Sequence, residues 1–324
     1  MSFSSLNGTL NIAVTNNIAS LRAQIEARAE ESTTGIQSDI ASHLKGRVDQ
    51  ALVSEQALND NVEEQSRLGL RTVRLSLVDS ALTSVRELSS GLQVSMLSAV
   101  GSGELDAQNL VSSQAQTALD DVISRLSARH GERFLFSGDA TATRPFADTD
   151  VLITDLRAIA AGATDAADFA AQVEFYFDDP TGGFQTNFYQ GAQSASDTDS
   201  VVANQPEFKD LIQGLAILSL AHSADGLAFA AGGTPAMDQA LERLERGRTN
   251  VVNTQAAVGM RRESIANEQA LLQREQTLLN QAFTDLVGKD QFEAAAQLRE
   301  LEANLEASYL LTTRLSNLTL LNFL

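Results

Sequence analysis

Apolar residues recur at steps of seven along the last third of the chain. Leu244, Val251, Val258, Ile265, Leu272, Leu279 and Leu286 hold one seam through six heptads. That spacing marks a helix whose stripe packs on another helix. It predicts a helix from about Met237 to Val287, roughly 75 Å long at 1.5 Å per residue. Three residues before each seam position the chain is mostly polar, with Arg248, Gln255, Arg262, Gln269 and Gln276. So narrow a seam suits helix-on-helix packing better than a thick globular core. Its partner is nearer the N-terminus, where Leu75, Val78, Leu82, Val85, Ser89, Leu92 and Met96 alternate steps of three and four. Gly101-Ser-Gly103 breaks that helix, and Ala115, Leu119, Val122 and Leu126 mark another over about Ala107 to Arg129. Two N-terminal helices folded onto one long C-terminal helix would bury both seams. These seam residues are the expected core.

The outermost segments repeat the pattern. Leu6, Leu10, Val14, Ile18, Leu21 and Ile25 form one stripe; Leu298, Leu301, Leu305, Ser308, Leu311, Leu315 and Leu318 form another. Thr34-Gly35 and Gly288-Lys-Asp290 separate them from the seams. A lone amphipathic helix is marginal in water, so these stripes need each other or another subunit. Leu10, Val14, Ile18 and Leu21, with Leu311, Leu315, Leu318 and Leu321, are the candidate assembly residues.

Between the helical flanks the chain changes character. All four prolines lie from Pro145 to Pro235, and eleven of the 17 Phe and Tyr residues fall from Phe134 to Phe208. Proline costs about 3 kcal/mol inside a helix. Val173-Glu-Phe-Tyr-Phe177 reads as a strand running into the turn Asp178-Asp-Pro-Thr-Gly-Gly183. The expected fold is mainly α: a long antiparallel coiled-coil-like rod formed by both chain ends, with a small inserted α+β domain. The expected division is 1–40 with 289–324 as terminal assembly helices, 41–138 with 205–288 as the helical rod, and 139–204 as the insert. The insert holds 11 acids and two arginines, a net charge of −9.

Charge and composition then remove function classes. The chain carries a net −19 and only three lysines, so it repels phosphate and anionic lipid; no nucleic acid partner is expected. Cysteine is absent, which excludes disulfides and thiolate metal sites. No apolar run approaches the ~20 residues of a membrane span, so no membrane insertion is expected. The first ten residues lack a basic n-region and an apolar h-region, unlike a Sec signal peptide.

Catalytic, cofactor and metal sites are all expected to be none. His43, His130 and His222 share no motif. His130 reads as a helix-end histidine beside the C-terminal dipole. Asp178-Asp179 and Asp197-Thr-Asp199 lack EF-hand spacing, so turn capping and solvation account for them better than calcium. No nucleophile elbow, P-loop or dinucleotide fingerprint occurs.

Two motifs carry a family resemblance. Leu305-Glu-Ala-Ser-Tyr-Leu-Leu-Thr-Thr-Arg-Leu-Ser-Asn-Leu-Thr-Leu-Leu-Asn-Phe-Leu324 resembles the ending of bacterial flagellins and hook–filament junction proteins. Asn16-Asn-Ile-Ala-Ser-Leu21 and Val85-Arg-Glu-Leu88 are similar to the same superfamily. Gly131-Glu-Arg-Phe-Leu-Phe-Ser-Gly138 resembles the motif that closes the N-terminal helices in the hook-associated protein 3 family. It supplies the motif residues Arg133, Phe134, Leu135, Phe136 and Gly138. Phe177-Asp-Asp-Pro-Thr-Gly-Gly-Phe184 and Phe188-Tyr-Gln-Gly191 look like that family's central domain. One segment departs: Thr34-Gly35 matches, but Ile36 to Gly46 has no proline where the family carries a Pro/Asp-rich loop.

The resemblance implies a structural protein and not an enzyme. It implies export by the flagellar type III machinery with an export chaperone, and an extracellular place in the bacterial flagellum. There such proteins self-associate into a ring between hook-associated protein 1 and the flagellin filament. Two other readings stand beside it: a minor or divergent flagellin that polymerises into the filament itself, and a coiled-coil type III secreted effector or adhesin.

Overall fold

Pro206 and Pro235 open helices rather than interrupt them. Each is the first residue of its helix, where its missing N–H has no partner to lose and its fixed φ already suits the turn. In this computed structural model, residues 3–102, 105–220 and 235–321 are described, with side chains over 15–92, 95, 106–107, 109–220 and 235–314. Nine helices fall within them: α1 Phe3–Thr34, α2 Ile40–Leu44, α3 Val48–Ser102, α4 Leu105–Leu126, α5 Thr149–Gly162, α6 Ala166–Asp178, α7 Pro206–Leu220, α8 Pro235–Val287 and α9 Gln291–Leu321. Two strands, β1 Arg129–His130 and β2 Arg133–Phe134, form an antiparallel hairpin with Arg129 opposite Phe134. The fold is mainly α. The predicted seam helix, Met237 to Val287, is α8.

The chain divides into two compact units, residues 1–66 with 270–324 and residues 67–269. In the first, α1 and α9 pair antiparallel: Arg22 reaches Tyr309, and Gln291 reaches the carbonyl of Thr33. The early part of α3 meets the late part of α8, where Asn61 Nδ2 donates to the Leu272 carbonyl at 3.1 Å. A small core of Leu44, Ala51 and Val287, flanked by Ile36, Ile40, Phe283 and Leu286, closes this unit.

In the second unit α3, α4, α7 and α8 share one core. Leu75, Val78, Leu82 and Val85 are buried, as are Leu119, Val122 and Leu126 of α4 and Leu244, Val251, Val258 and Ile265 of α8. From Glu207 to Leu220 every residue of α7 but Lys209 is buried, the mark of a helix enclosed on all sides. Gly214 and Gly247 permit that enclosure: a Cβ on Gly214 would stand 2.8 Å from the Ala240 carbonyl, and one on Gly247 2.8 Å from Leu211. Asp79 on α3 bonds Gln255 and Arg262 on α8.

The insert corrects one expectation. Val173–Phe177 is not a strand; it lies in α6. Asp165 caps that helix by accepting from the N–H groups of Ala167 and Asp168, both at 2.9 Å. Phe169, Ala170, Val173, Tyr176 and Phe177 then fall on one buried face, a 3.6-residue period that overrides the β preference of aromatics. Between residues 139 and 204 the described backbone is α5, α6, a π-helical turn at Phe184–Phe188 and one isolated bridge, Phe146 to Tyr189. The α+β content expected of the insert is therefore helical, and the only described strands precede it. Its core is aromatic: Phe146, Phe177, Phe184, Phe188 and Tyr189 lie with ring centroids 5.2–6.3 Å apart.

Candidate assembly surface

The α1–α9 pair encloses its apolar stripes only in part. Ile18, Leu21 and Ile25 on α1 are only half-buried, as are Leu298, Leu301 and Leu305 on α9. Among the described side chains of α1 only Glu31 is buried, and of α9 only Ala294. Leu310 and Leu311 stand 59% and 60% exposed, and Phe292 90%. A fully buried Leu or Phe gains about 1.5–3 kcal/mol, so this pair leaves much of its apolar surface unused. Of the candidate assembly residues, Ile18 and Leu21 face inward and Leu311 faces solvent. Leu10, Val14, Leu315, Leu318 and Leu321 sit on helical backbone, but their side chains lie outside the described residues.

A defined joint holds this pair. Helix α1 stops because Gly35 takes φ +70°, a conformation costly for any residue with a Cβ. The Gly35 carbonyl then accepts from Lys289 N, and the Val287 carbonyl from Gln37 N, both at 2.8 Å. Glu31 is buried at this joint. It accepts from Ser38 N at 3.1 Å and Ser38 Oγ at 2.9 Å, and it pairs with Arg28. Burial alone would push its carboxyl up; the bonds from Ser38 and Arg28 outweigh that and hold it below the usual glutamate range.

The seam residues separate between the two units. Leu75, Val78, Leu82, Val85, Leu244, Val251, Val258 and Ile265 meet in the core of the second. Leu272, Leu279 and Leu286 belong to the first and are half-buried. The hairpin motif is locked from several sides. Arg133 and Phe134 form β2, while Leu135, Phe136 and Gly138 are buried. Phe136 packs edge-on against Phe208 at 6.1 Å, and its carbonyl accepts from Ala203 N at 2.8 Å. Gly138 takes φ +60°, and a Cβ there would stand 2.5 Å from the Ser194 carbonyl oxygen.

The histidines and paired acids take other places. His43 lies on α2; His222 lies outside the described residues. His130 is not at a helix end: α4 stops at Leu126 and His130 is exposed on β1. Asp179 caps its own turn through Thr181. Asp178 instead joins an ion network that the sequence reading missed. Arg243 Nη2 meets Asp178 at 2.5 Å and Nη1 meets Asp210 at 2.9 Å, while Arg246 Nε meets Asp210 at 2.8 Å. Burial pulls Arg243 down, but the hydrogen bonds and charges of Asp178 and Asp210 outweigh it and hold the guanidinium above its usual range. Asp199 and Asp197 pair with Arg71 and Arg74, each at 2.7 Å. The spacing of Arg71 and Arg74, one helical turn apart, is the one signal that could have found that second pair.

Among the described residues no group of three or more His, Asp and Glu could hold a metal ion, and no described helix is long and apolar enough to cross a membrane.

No family model matches the chain, and no curated protein matches it. Solved structures similar to it include the following three. FlgL of Bacillus cereus has 13% identity and a TM-score of 0.46, covering 72% of this chain and 96% of that one. A protein described as a flagellar hook-associated protein of Vibrio parahaemolyticus has 14% identity and a TM-score of 0.47, covering 73% and 95%. FlgL of Xanthomonas campestris has 15% identity and a TM-score of 0.39, covering 73% and 99%.

Proposed function

We propose that this chain is a structural component of the bacterial flagellum that joins hook to filament. In this reading it forms a ring between hook-associated protein 1 and flagellin, after export by the flagellar type III machinery with its chaperone. The reading makes it an assembly protein and not an enzyme. The observation that carries it is the α1–α9 pair, which leaves its stripes half-buried and Leu310 and Leu311 exposed on the helix that runs into the flagellin-like ending at Leu305–Leu324. Copies packed around a common axis would cover those residues. The locked hairpin at residues 131–138 favours the junction protein over a filament-forming flagellin, because its residues resemble the junction family at that point.

Leu311→Asp tests the proposal. Leu311 is 60% exposed, so a charge there costs the free monomer little. The purified variant should melt like the parent yet fail to enter flagella in a strain lacking the native gene. Normal incorporation and motility would contradict the assembly role of this face.

A further inference from the structure

Within the second unit the seam between α3 and α8 repeats itself. On α3, Leu68, Leu75 and Leu82 recur at steps of seven, and all are buried. On α8, Leu244, Val251, Val258 and Ile265 do the same. A slide of one helix past the other by one heptad is about 10 Å at 1.5 Å per residue. It sets aliphatic side chains against aliphatic side chains again. The polar positions repeat too. Asp79 accepts from Arg262 Nη1 at 2.7 Å and from Gln255 Nε2 at 3.0 Å. Arg248, Gln255, Arg262 and Gln269 follow one another at steps of seven. A one-heptad slide therefore offers Asp79 an arginine and a glutamine in either direction: Arg248 with Gln255, or Arg262 with Gln269. The seam binds α3 without choosing its register.

Another contact of α3 does not repeat. Arg71 Nε meets Asp199 at 2.7 Å, and Arg74 Nη2 meets Asp197 at 2.7 Å. The arginines stand one turn apart on α3. Both acids belong to one folded turn, where Asp197 accepts from Asp199 N at 2.9 Å and its carbonyl accepts from Ser200 N at 3.1 Å. The chain beyond that turn is anchored: Val201, Val202 and Ala203 are buried, and Ala203 N donates to the Phe136 carbonyl at 2.8 Å. Asp199 is 5% exposed, so its charge needs a partner. A one-heptad slide brings Val78 and Ala81, or Glu64 and Arg67, to the places of Arg71 and Arg74. The first leaves Asp199 buried and unpaired. The second sets Glu64 against it.

We infer that the pairs Arg71–Asp199 and Arg74–Asp197 are the register key of α3, selecting one of several heptad registers that its seam with α8 would accept. Polar contacts set register in helix pairs whose apolar layers are interchangeable. Here the polar contact comes from outside the pair, from the turn that leads into α7. That turn holds α3 at one height, and the seam supplies the burial.

The absence of cysteine permits a direct test of register. Ser90→Cys on α3 and Asn267→Cys on α8, both at exposed positions, take spin labels in the full-length chain. They lie on opposite sides of the Asp79–Arg262 bond, so a slide along the axis changes their separation directly. Pulsed electron paramagnetic resonance should give one distance with all other residues intact. Arg71→Leu/Arg74→Leu should add a second distance, displaced by up to about 10 Å. Asp197→Asn/Asp199→Asn should add the same one; it keeps the side-chain shapes and carries the test should the leucine variant not fold. Asp79→Ala should lower the urea midpoint yet keep the single distance, because its partners repeat along α8. Circular dichroism confirms that each variant is helical. A single, unshifted distance in the folded key variants would overturn the inference, leaving the two pairs as stabilising contacts only. A second distance in Asp79→Ala would overturn it as well, because the seam itself would then set the register.

Discussion

Arg22 donates to the hydroxyl of Tyr309 across the α1–α9 pair, through Nη2 at 2.6 Å and Nε at 3.2 Å. The two residues are 287 positions apart, so this bond fixes the register of the first helix against the last. Tyr309→Phe keeps the ring and removes the acceptor. Both groups are exposed, so the expected loss is no more than about 1 kcal/mol. Tyr309→Ala should cost more, because the half-exposed ring goes as well. Amide exchange over residues 19–34 measures both; equal exchange in Tyr309→Ala and the parent would contradict the register.

Glu31 should make the joint acid-sensitive. Its carboxyl is held below the usual glutamate range, and that range centres near about 4.3. A depressed carboxylate gives stability that is fully present above the unfolded pKa and lost as pH falls through the folded one. The contribution should therefore be complete at pH 6 and fade below about pH 4. Glu31→Gln should be less stable at pH 6 and show a flatter melting profile from pH 5 to pH 3. An unchanged profile would mean that Glu31 does not hold the joint.

Arg243 and Asp210 should be the costliest charge pair to break. Both side chains are buried, at 8% and 5% exposure, whereas Asp178 is 41% exposed. Asp210→Ala leaves Arg243 and Arg246 short of a buried partner and should cost about 2–4 kcal/mol. Asp178→Ala should cost about 1 kcal/mol or less. Urea unfolding of the two variants gives the comparison, and an equal effect would contradict the burial argument.

How far the sequence carried depended on how local the determining physics was. The steps of seven from Leu244 to Leu286 located α8 within two residues at its start, because a helix–helix seam imprints its period on the chain. Thr34-Gly35 marked the end of α1 because the required left-handed backbone selects glycine. Val173–Phe177 misled, since aromatics at short range suit strand and helix alike. What decided was the cap at Asp165 and a packed face whose partners lie elsewhere. The Arg243–Asp178–Asp210 network was invisible for a similar reason: its members sit on three helices, and no spacing along the chain announces them. At the assembly surface the stripes of α1 and α9 were legible. That they cover each other only in part was not, because exposure belongs to the folded pair.

The central claim is tested most directly by deleting the gene in the native bacterium and imaging the cell surface by electron microscopy. The account predicts complete hooks without filaments, flagellin released into the medium, and filaments restored when the intact chain is supplied from a plasmid. Filaments of normal length and number in the deletion strain would contradict it.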